Sequence, residues 1–426
     1  MQMPHFPMPP WHQYIKYDLE NINKILVQLG NPHLKLPPVI HIAGTNGKGS
    51  SVAMLKSIFE TAGYKVHSYT SPHLIEFNER IVLASEKISD AYLFEVCEKT
   101  RLASIEASVD PTFFEGTTAA AFLAFANVPA DILILETGLG GRLDATNIVP
   151  KPLITLITPI SYDHMDILGS TLPLIATEKA GIIKPNVPCV ISCQVNEVYE
   201  TLIAKCNELN APSFCYEYDF GLQKTDNGFI YLSKNVRYEF LMPSLRGDHQ
   251  LINAASVIAL IGLINTQFNI NNASITQGLQ NSIWPARIQK IDPIKYARLA
   301  KDNVQIWVDG AHNSGGAQVL ASWIKDNLDS PIYMILGMTK NRNVKEFCSH
   351  FASLVIEGYG VKVLSEPLSY NAEVICHGMK EAGINGIIVE SLEEAISGIG
   401  KLNPNGKVNI IITGSLFLAS DFFKLI

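Results

Sequence analysis

The sequence predicts an α/β protein of two domains, the first built on a mostly parallel sheet and the second a smaller α/β domain. Three observations carry this prediction. Short apolar runs alternate with segments of helical periodicity along most of the chain. Each of the early runs ends in a glycine-rich or polar cluster, as strands of a buried parallel sheet do where a site forms beyond their C-terminal ends. At 426 residues the chain also exceeds the size at which one hydrophobic core usually keeps growing.

The first run, "PPVIHIAG", reads as a strand ending in a glycine loop. The segment "SSVAMLKSIFETAG" then places Val52, Leu55, Ile58, Phe59 and Ala62 at helical spacing, with Gly63 as its C-cap. "YKVHSY" alternates like a strand and leads into "TSPHLIEFNERI". "DILILE" and "LITLITPI" are further buried strands, ending in "ETGLGGRLDATN" and "SYDHMD". Near "NSIWPARIQKI" the organisation changes, which places the domain join near residue 285, giving domains 1–285 and 286–426. Downstream, "VQIWVDG", "PIYMILGM", "VKVLS", "GIIVES" and "VNIIITGS" are predicted strands alternating with helices. The stretches from about 195 to 245 and about 340 to 400 carry little motif information.

Composition narrows the function. The chain is 47% hydrophobic and 17% charged, ordinary for a globular protein, and its formal net charge of −7 with no basic run argues against nucleic-acid binding. The most apolar stretch, "AAAFLAFANVPADILIL", is broken by Asn127, Pro129 and Asp131, so no membrane span is expected. The opening "MQMPHFPMPPWHQY" lacks the basic start and apolar run of a secretory signal. Seven scattered cysteines, of which only Cys189 and Cys193 approach a motif, read as reduced thiols of a cytoplasmic protein. Anionic substrates would need local devices to attract them: glycine turns, helix N-termini or a metal ion.

The stretch His41–Ser50, "HIAGTNGKGS", resembles a phosphate-binding loop but departs from the usual spelling, because Gly49 separates Lys48 from Ser50. Read as a cradle, the backbone amides from Gly44 through Thr45, Asn46, Gly47 and Lys48 to Gly49 face phosphate oxygens. Lys48 would neutralise their charge, and Ser50 would approach phosphate or Mg2+. The bland alternative is a glycine-rich strand-to-helix turn that happens to contain lysine. A GTPase is disfavoured, since the Asn23-Lys24 pair is followed by Ile25-Leu26 rather than by a guanine-reading acid.

Later loops add chemistry. Glu136 ends a buried strand, where it is either a Mg2+ ligand beside the phosphates or a capping or salt-bridged glutamate. Gly138, Gly140, Gly141, Arg142 and Asp144 then crowd one connection. His164, after Asp163, lies at the same sheet edge as Glu136, and a carboxylate with an imidazole suits Mg2+ or Mn2+. Ser71 is a further oxygen ligand or a plain turn serine before Pro72. Lys179, in "EKAGI", reads from its sequence context as a solvated helix lysine. Asp309 and His312, in "VDGAHN", would hold a ribose hydroxyl and a phosphate or adenine edge, or simply cap the next helix.

Taken together, "HIAGTNGKGS", "YTSPHL" with "FNERI", "FFE", "ETGLGGRLDATN", "DHMDILG" with "EKAGIIKP", "RGDHQLINAA", "WPARIQ", "VDGAHN", "ILGM" and "TGSLFLA" resemble the Mur-ligase superfamily of ATP-dependent amide-forming ligases. Within it the likeness is to the folylpolyglutamate synthase/dihydrofolate synthase group, and it spans residues 41 to 420. The resemblance implies a P-loop ATPase-like first domain and a Rossmann-like second domain that closes over ATP. It implies that Lys48 and the loop glycines hold phosphate, and that Ser71, Glu136 and His164 hold Mg2+, with K+ a further candidate cation. It also implies nucleotide contacts from Asn253, Arg287, Asp309 and His312, catalytic roles for Lys48, Glu136, His164 and Arg287, and a carbamylated Lys179. Pro72, His73, Phe114 and Asp144 fall where the family shapes its pterin pocket. After "ILGM" the chain reads "TKNRNV" where many members carry an acidic pair, and Ser314 stands where proline is frequent.

The expected activity is ligation of L-glutamate to dihydropteroate and to reduced folates through an acyl phosphate, in a cytoplasmic monomer with no nucleic-acid or membrane partner. Folylpolyglutamate synthesis alone, or another Mur-type ligation, is the alternative. A regulatory nucleotide-binding protein and a P-loop kinase are rivals from other classes.

Overall fold

The early apolar runs become the strands of one large sheet: β1 Val39–Ala43, β2 Val66–Tyr69, β3 Ile81–Leu83, β4 Glu86–Lys87, β5 Ile132–Glu136, β6 Ile154–Ile157, β7 Cys189–Ile191 and β8 Ser213–Cys215. They lie in the order β4-β3-β2-β5-β1-β6-β7-β8 in the computed structural model. The six strands from β2 to β8 in that order run parallel, and β3 and β4 extend the edge antiparallel. Every residue of β1 and β5 is buried, which is why these strands read as unbroken apolar runs rather than as alternation.

The structure describes residues 18–426 apart from 235, 301–302, 330 and 403–405. The N-terminal stretch in which no secretory signal is read lies outside the described residues. Two compact units emerge. One is Met1–Ser244 with Gln250–Ile283, and the other is Leu245–His249 with Trp284–Ile426.

In the first unit, register fixes the working edge. Ile42 pairs with Glu136 and Ala43 with Ile157, so the loops leaving β1, β5 and β6 open side by side. The helix Lys48–Thr61 carries the chain from β1 toward β2, whereas Leu172–Ala180 carries it from β6 toward β7 on the other flank. Connections that part in this way leave a crevice beyond the strand ends. The helix expected after the glycine loop ends at Thr61, and Ala62 is its C-cap. Gly63 follows at φ +90, with Gly63 N–H on Glu60 O and Tyr64 N–H on Phe59 O: the expected cap glycine is the left-handed residue of a Schellman closure, one place past the actual cap.

A three-stranded antiparallel sheet, β9 Phe220–Lys224, β10 Gly228–Ser233 and β11 Val236–Leu241, occupies a region the sequence left blank. Its signal was local: Asp226-Asn227 turn the chain, with Thr225 N–H on Gly228 O at 3.0 Å, before the apolar "FIYL" of β10.

The second unit holds a sheet of β12 Gln289–Lys290, β13 Val304–Val308, β14 Ile332–Leu336, β15 Glu357–Gly360, β16 Gly386–Ile388 and β17 Val408–Thr413. The order is β12-β13-β17-β14-β15-β16, parallel except for β12. The strand expected at "VKVLS" instead ends at Gly360, just before it. Glycines disguise it: a Cβ on Gly360 would meet Cys376 Sγ at 2.6 Å, and one on Gly358 would meet Met379 Sδ at 2.6 Å. Leu245–His249 joins this unit through the Arg246 guanidinium, 5.1 Å from the Trp307 ring centre.

Candidate active site

The loop after β1 is shaped by two glycines in the left-handed region, Gly44 at φ +150 and Gly47 at φ +89. Here the close approach is to the protein itself. A Cβ on Gly44 would overlap Thr158 Oγ1 at 1.9 Å, and one on Gly47 would lie 2.6 Å from Asn253 Oδ1. The expectation that every amide of the loop faces phosphate is corrected in part. Thr45 and Asn46 N–H both donate to Pro159 O, at 3.0 and 3.1 Å. Their side chains turn to Ser161, Thr45 Oγ1 donating to its carbonyl and Asn46 Nδ2 to its hydroxyl. The amides suited to an anion are those of Lys48, Gly49 and Ser50, which open the helix Lys48–Thr61 and have no carbonyl one turn earlier within it.

Two ammonium groups crowd this loop. Lys48 Nζ donates to Gly44 O at 3.1 Å and to Thr45 O at 3.2 Å, and Lys179 Nζ donates to the same Gly44 O at 2.9 Å. Lys179 is 4% exposed, which corrects the solvated-lysine reading. It sits in the last turn of Leu172–Ala180, close-packed on the loop after β5. A Cβ on Gly141 would meet Lys179 O at 2.8 Å. Burial, and secondarily the charge of Lys48, lowers its pKa to about 7. Ser50, also buried, accepts from Gln250 Nε2 at 3.2 Å, and Asn253 Nδ2 donates to Gln250 Oε1 at 3.0 Å. Gln250, inside the quoted "RGDHQLINAA", thus ties Ser50 to Asn253.

Glu136, 4% exposed at the end of β5, accepts the Ser71 amide on Oε2 at 3.3 Å. The structure therefore brings Ser71 and Glu136 together. His164 caps the short helix Met165–Leu168 at φ +48, and its Nε2 lies 3.7 Å from Asp163 Oδ1. Among the described residues no three His, Cys, Asp or Glu side chains gather as a metal centre. A hydroxyl, a carboxylate and an imidazole fit an ion that draws its remaining ligands from phosphate and water, as Mg2+ does.

Asp144, expected where the substrate binds, is held by its own loop. Its Oδ2 accepts Gly138 and Leu139 N–H at 2.9 and 2.8 Å, and its Oδ1 accepts Thr146 N–H and Oγ1 at 3.0 and 2.5 Å. Four donors use the acceptor capacity of one carboxylate, so the group anchors its own loop. Burial pushes its pKa up while these donors pull it down, and burial prevails.

Beyond Glu136 the site turns aromatic. The Ser71–Pro72 peptide is cis, and the loop that follows carries His73, whose Nδ1 accepts from Arg80 Nε at 3.0 Å. The Arg80 guanidinium lies 5.3 Å from the Phe77 ring and 5.6 Å from that of Phe113. Phe114 lies under Gly138, where a Cβ would meet its ring at 2.5 Å, and 6.0 Å from Tyr69. Arg80 and Phe113 were missed by sequence reasoning, although both lie inside quoted motifs. A cation near-buried among rings is the signal that only the fold supplies.

In the second unit, Asp309 follows β13. Its Oδ2 accepts Ile288 N–H and its Oδ1 accepts Ala311 N–H, each at 2.8 Å. Arg287 Nη1 donates to Ala286 O at 2.8 Å, and His312 Nδ1 is 3.0 Å from Gly310 O. Arg287, Asp309 and His312 therefore share one strand edge of this unit.

Comparison with known proteins gives a consistent picture. Residues 42–261 match the Mur ligase middle domain, and residues 296–416 match the glutamate ligase domain of Mur ligases. The chain is 32% identical to the dihydrofolate synthase/folylpolyglutamate synthase of Bacillus subtilis, over 96% of this chain and 95% of that protein. It is also 32% identical to the folylpolyglutamate synthase of Lacticaseibacillus casei, over 95% and 93%. An Escherichia coli FolC structure in complex with DHPP and ADP superposes with TM-score 0.85 at 26% identity, covering 98% of this chain and 95% of that one. The Mycobacterium tuberculosis folylpolyglutamate synthase complexed with ADP and AMPPCP gives 0.85 at 28%, over 96% and 95%.

Proposed function

The chain belongs to the Mur ligase family, and we infer from that membership that it is an ATP-dependent acid–amino acid ligase of folate metabolism. It joins L-glutamate to dihydropteroate, giving dihydrofolate, and to reduced folates, extending a polyglutamate tail. The observation in the fold that carries this reading is the convergence of Lys48 and Lys179 on one carbonyl at a helix N-terminus. Lys48, beside the first amides of the helix Lys48–Thr61, which have no carbonyl one turn earlier within it, forms a site for a polyanion.

A carboxylate is a poor acylating agent. ATP overcomes this by transferring its γ-phosphoryl group to the acceptor carboxylate, giving an acyl phosphate. The α-amino group of L-glutamate attacks the acyl carbon, loses a proton, and expels phosphate as the amide forms. Such phosphoryl transfer needs chiefly positioning and charge stabilisation. Lys48 and the amides of Lys48, Gly49 and Ser50 hold phosphate, while Asn253 supports Gly47 from behind. Ser71, Glu136 and His164 would hold Mg2+, which would supply charge neutralisation to the phosphates. Arg287, Asp309 and His312 meet the nucleotide, with Arg287 adding charge to the transferred group. Pro72, His73 and Phe114 line the acceptor's path.

Lys179 is suited to carbamylation, since an amine with a pKa of about 7 offers its neutral form at physiological pH. Its nitrogen would bond to the carbon of CO2 and release a proton, replacing a cation beside Lys48 with a carboxylate. No described helix is long and apolar enough to cross a membrane. The seven cysteines are free thiols, in keeping with a reducing compartment, and we propose a cytoplasmic monomer. ADP release with Mg-ATP and L-glutamate, with dihydropteroate or tetrahydrofolate added in parallel, tests the reading. Turnover with both acceptors is expected. Turnover with tetrahydrofolate alone would reduce the activity to polyglutamate extension, and none with either would overturn it.

A further inference from the structure

Arg287 stands at the crown of a three-residue arch whose flanks are both left-handed. Ala286 has φ +56 and Ile288 has φ +45, and both are buried. Neither is glycine, and a β-branched residue in this region is a genuine outlier. Such backbone persists only where its surroundings over-determine it, and it concentrates where a functional group is being aimed.

Four hydrogen bonds impose the arch. Ala286 O accepts both Gly310 N–H at 2.9 Å and Arg287 Nη1 at 2.8 Å. Ile288 N–H donates to Asp309 Oδ2 at 2.8 Å, and Ala286 N–H donates to Gln289 Oε1 at 3.0 Å. Gly310 leaves room for the guanidinium, since a Cβ there would lie 2.8 Å from Arg287 Nη1. Gln289 is itself fixed, because it opens β12 and pairs in register with Val308, the residue before Asp309. The arch is thus held from both ends by one strand pair, by the Asp309 carboxylate on one side and the Gln289 amide oxygen on the other.

We propose that Gln289 is a positioning residue for Arg287: its Oε1 captures the Ala286 amide and keeps the left-handed arch that aims the guanidinium. The proposal rests on the reading that Arg287 acts at the nucleotide. Gln289 touches no substrate in this account. Its contribution is geometric, and a displacement of about 1 Å at a catalytic group can cost on the order of 100-fold in rate.

The test compares kcat and KM for ATP among the wild type, Gln289→Met, Gln289→Glu, Arg287→Ala and the Gln289→Met/Arg287→Ala double variant, with thermal melts of each. Methionine keeps the length and apolar stem of the side chain but removes the acceptor; glutamate restores an acceptor oxygen. Gln289→Met is expected to lose roughly 10- to 100-fold in kcat while melting as a folded protein, with Gln289→Glu near wild type. The double variant is expected to match Arg287→Ala alone, because an arch with no guanidinium has nothing to aim. Losses that multiply in the double variant, or an unchanged kcat for Gln289→Met beside a damaged Arg287→Ala, would overturn the proposal alone. Unchanged turnover of Arg287→Ala would overturn the reading of Arg287 beneath it.

Discussion

Lys48 and Lys179 donate to the same oxygen: the Gly44 carbonyl receives their ammonium groups at 3.1 and 2.9 Å. Two like charges held this close, one of them buried, are unfavourable until an anion or a chemical change relieves them. The loop therefore holds an electrostatic demand that, in the proposed function, the triphosphate of ATP would meet. Removing Lys48 should lower kcat by roughly 100- to 1,000-fold, the range seen when one charge-stabilising donor is lost from a reacting centre. Lys48→Met should melt no lower than the wild type, because it relieves Lys179 of its neighbour. Steady-state kinetics beside a melting curve checks both halves.

Lys179 gives a pH signature. Its pKa falls from 10.5 in the unfolded chain to about 7 in the folded one, chiefly through burial. Below about pH 7 the ammonium is charged in both states and its burial cost stands in full. Between about pH 7 and 10.5 the folded chain has shed a proton that the unfolded chain keeps, so this group makes stability rise with pH across that window. Lys179→Met should be more stable than the wild type below pH 7, with the difference shrinking as pH rises. Urea denaturation of both proteins across neutral pH measures it. A pH-independent difference contradicts the assignment.

Glu136→Gln keeps an oxygen for the Ser71 amide, so the fold should survive. What it removes is the charge that would hold Mg2+. Turnover should fall by at least about 100-fold, with nucleotide binding in the absence of metal unchanged by calorimetry. A variant that turns over normally would take Glu136 out of the metal set.

Asp144 separates anchor from substrate ligand. Asp144→Ala strands four donors in a buried loop, each costing about 1–3 kcal/mol if left unmade. It should lower stability by roughly 3 kcal/mol or more, measured by denaturant unfolding. A stable variant with only a raised KM for the folate acceptor would restore the substrate role.

How far the sequence spoke can be traced residue by residue. Gly44 and Gly47 announced a special turn, and their positive φ values bear this out, yet the bodies pressing on them, Thr158 and Asn253, lie far along the chain. Lys179 looked solvated because a helix lysine usually is; its burial comes from packing against the loops after β1 and β5, which no local pattern encodes. Asp144 sat in the right motif, but its role follows from four donors that converge only when the loop closes. β15 was hidden because Gly358 and Gly360, needed for packing against Met379 and Cys376, remove the apolar signal that strand recognition uses. The parallel sheet itself was legible, since burial on both faces writes itself as continuous apolar runs.

The proposed ligation depends on activation of the acceptor carboxylate by phosphorylation. Dihydropteroate labelled with heavy oxygen in its carboxylate, turned over with ATP and L-glutamate, tests it most directly by mass spectrometry of the released phosphate. One labelled oxygen is expected to pass from carboxylate to inorganic phosphate for each amide formed. Unlabelled phosphate would contradict it.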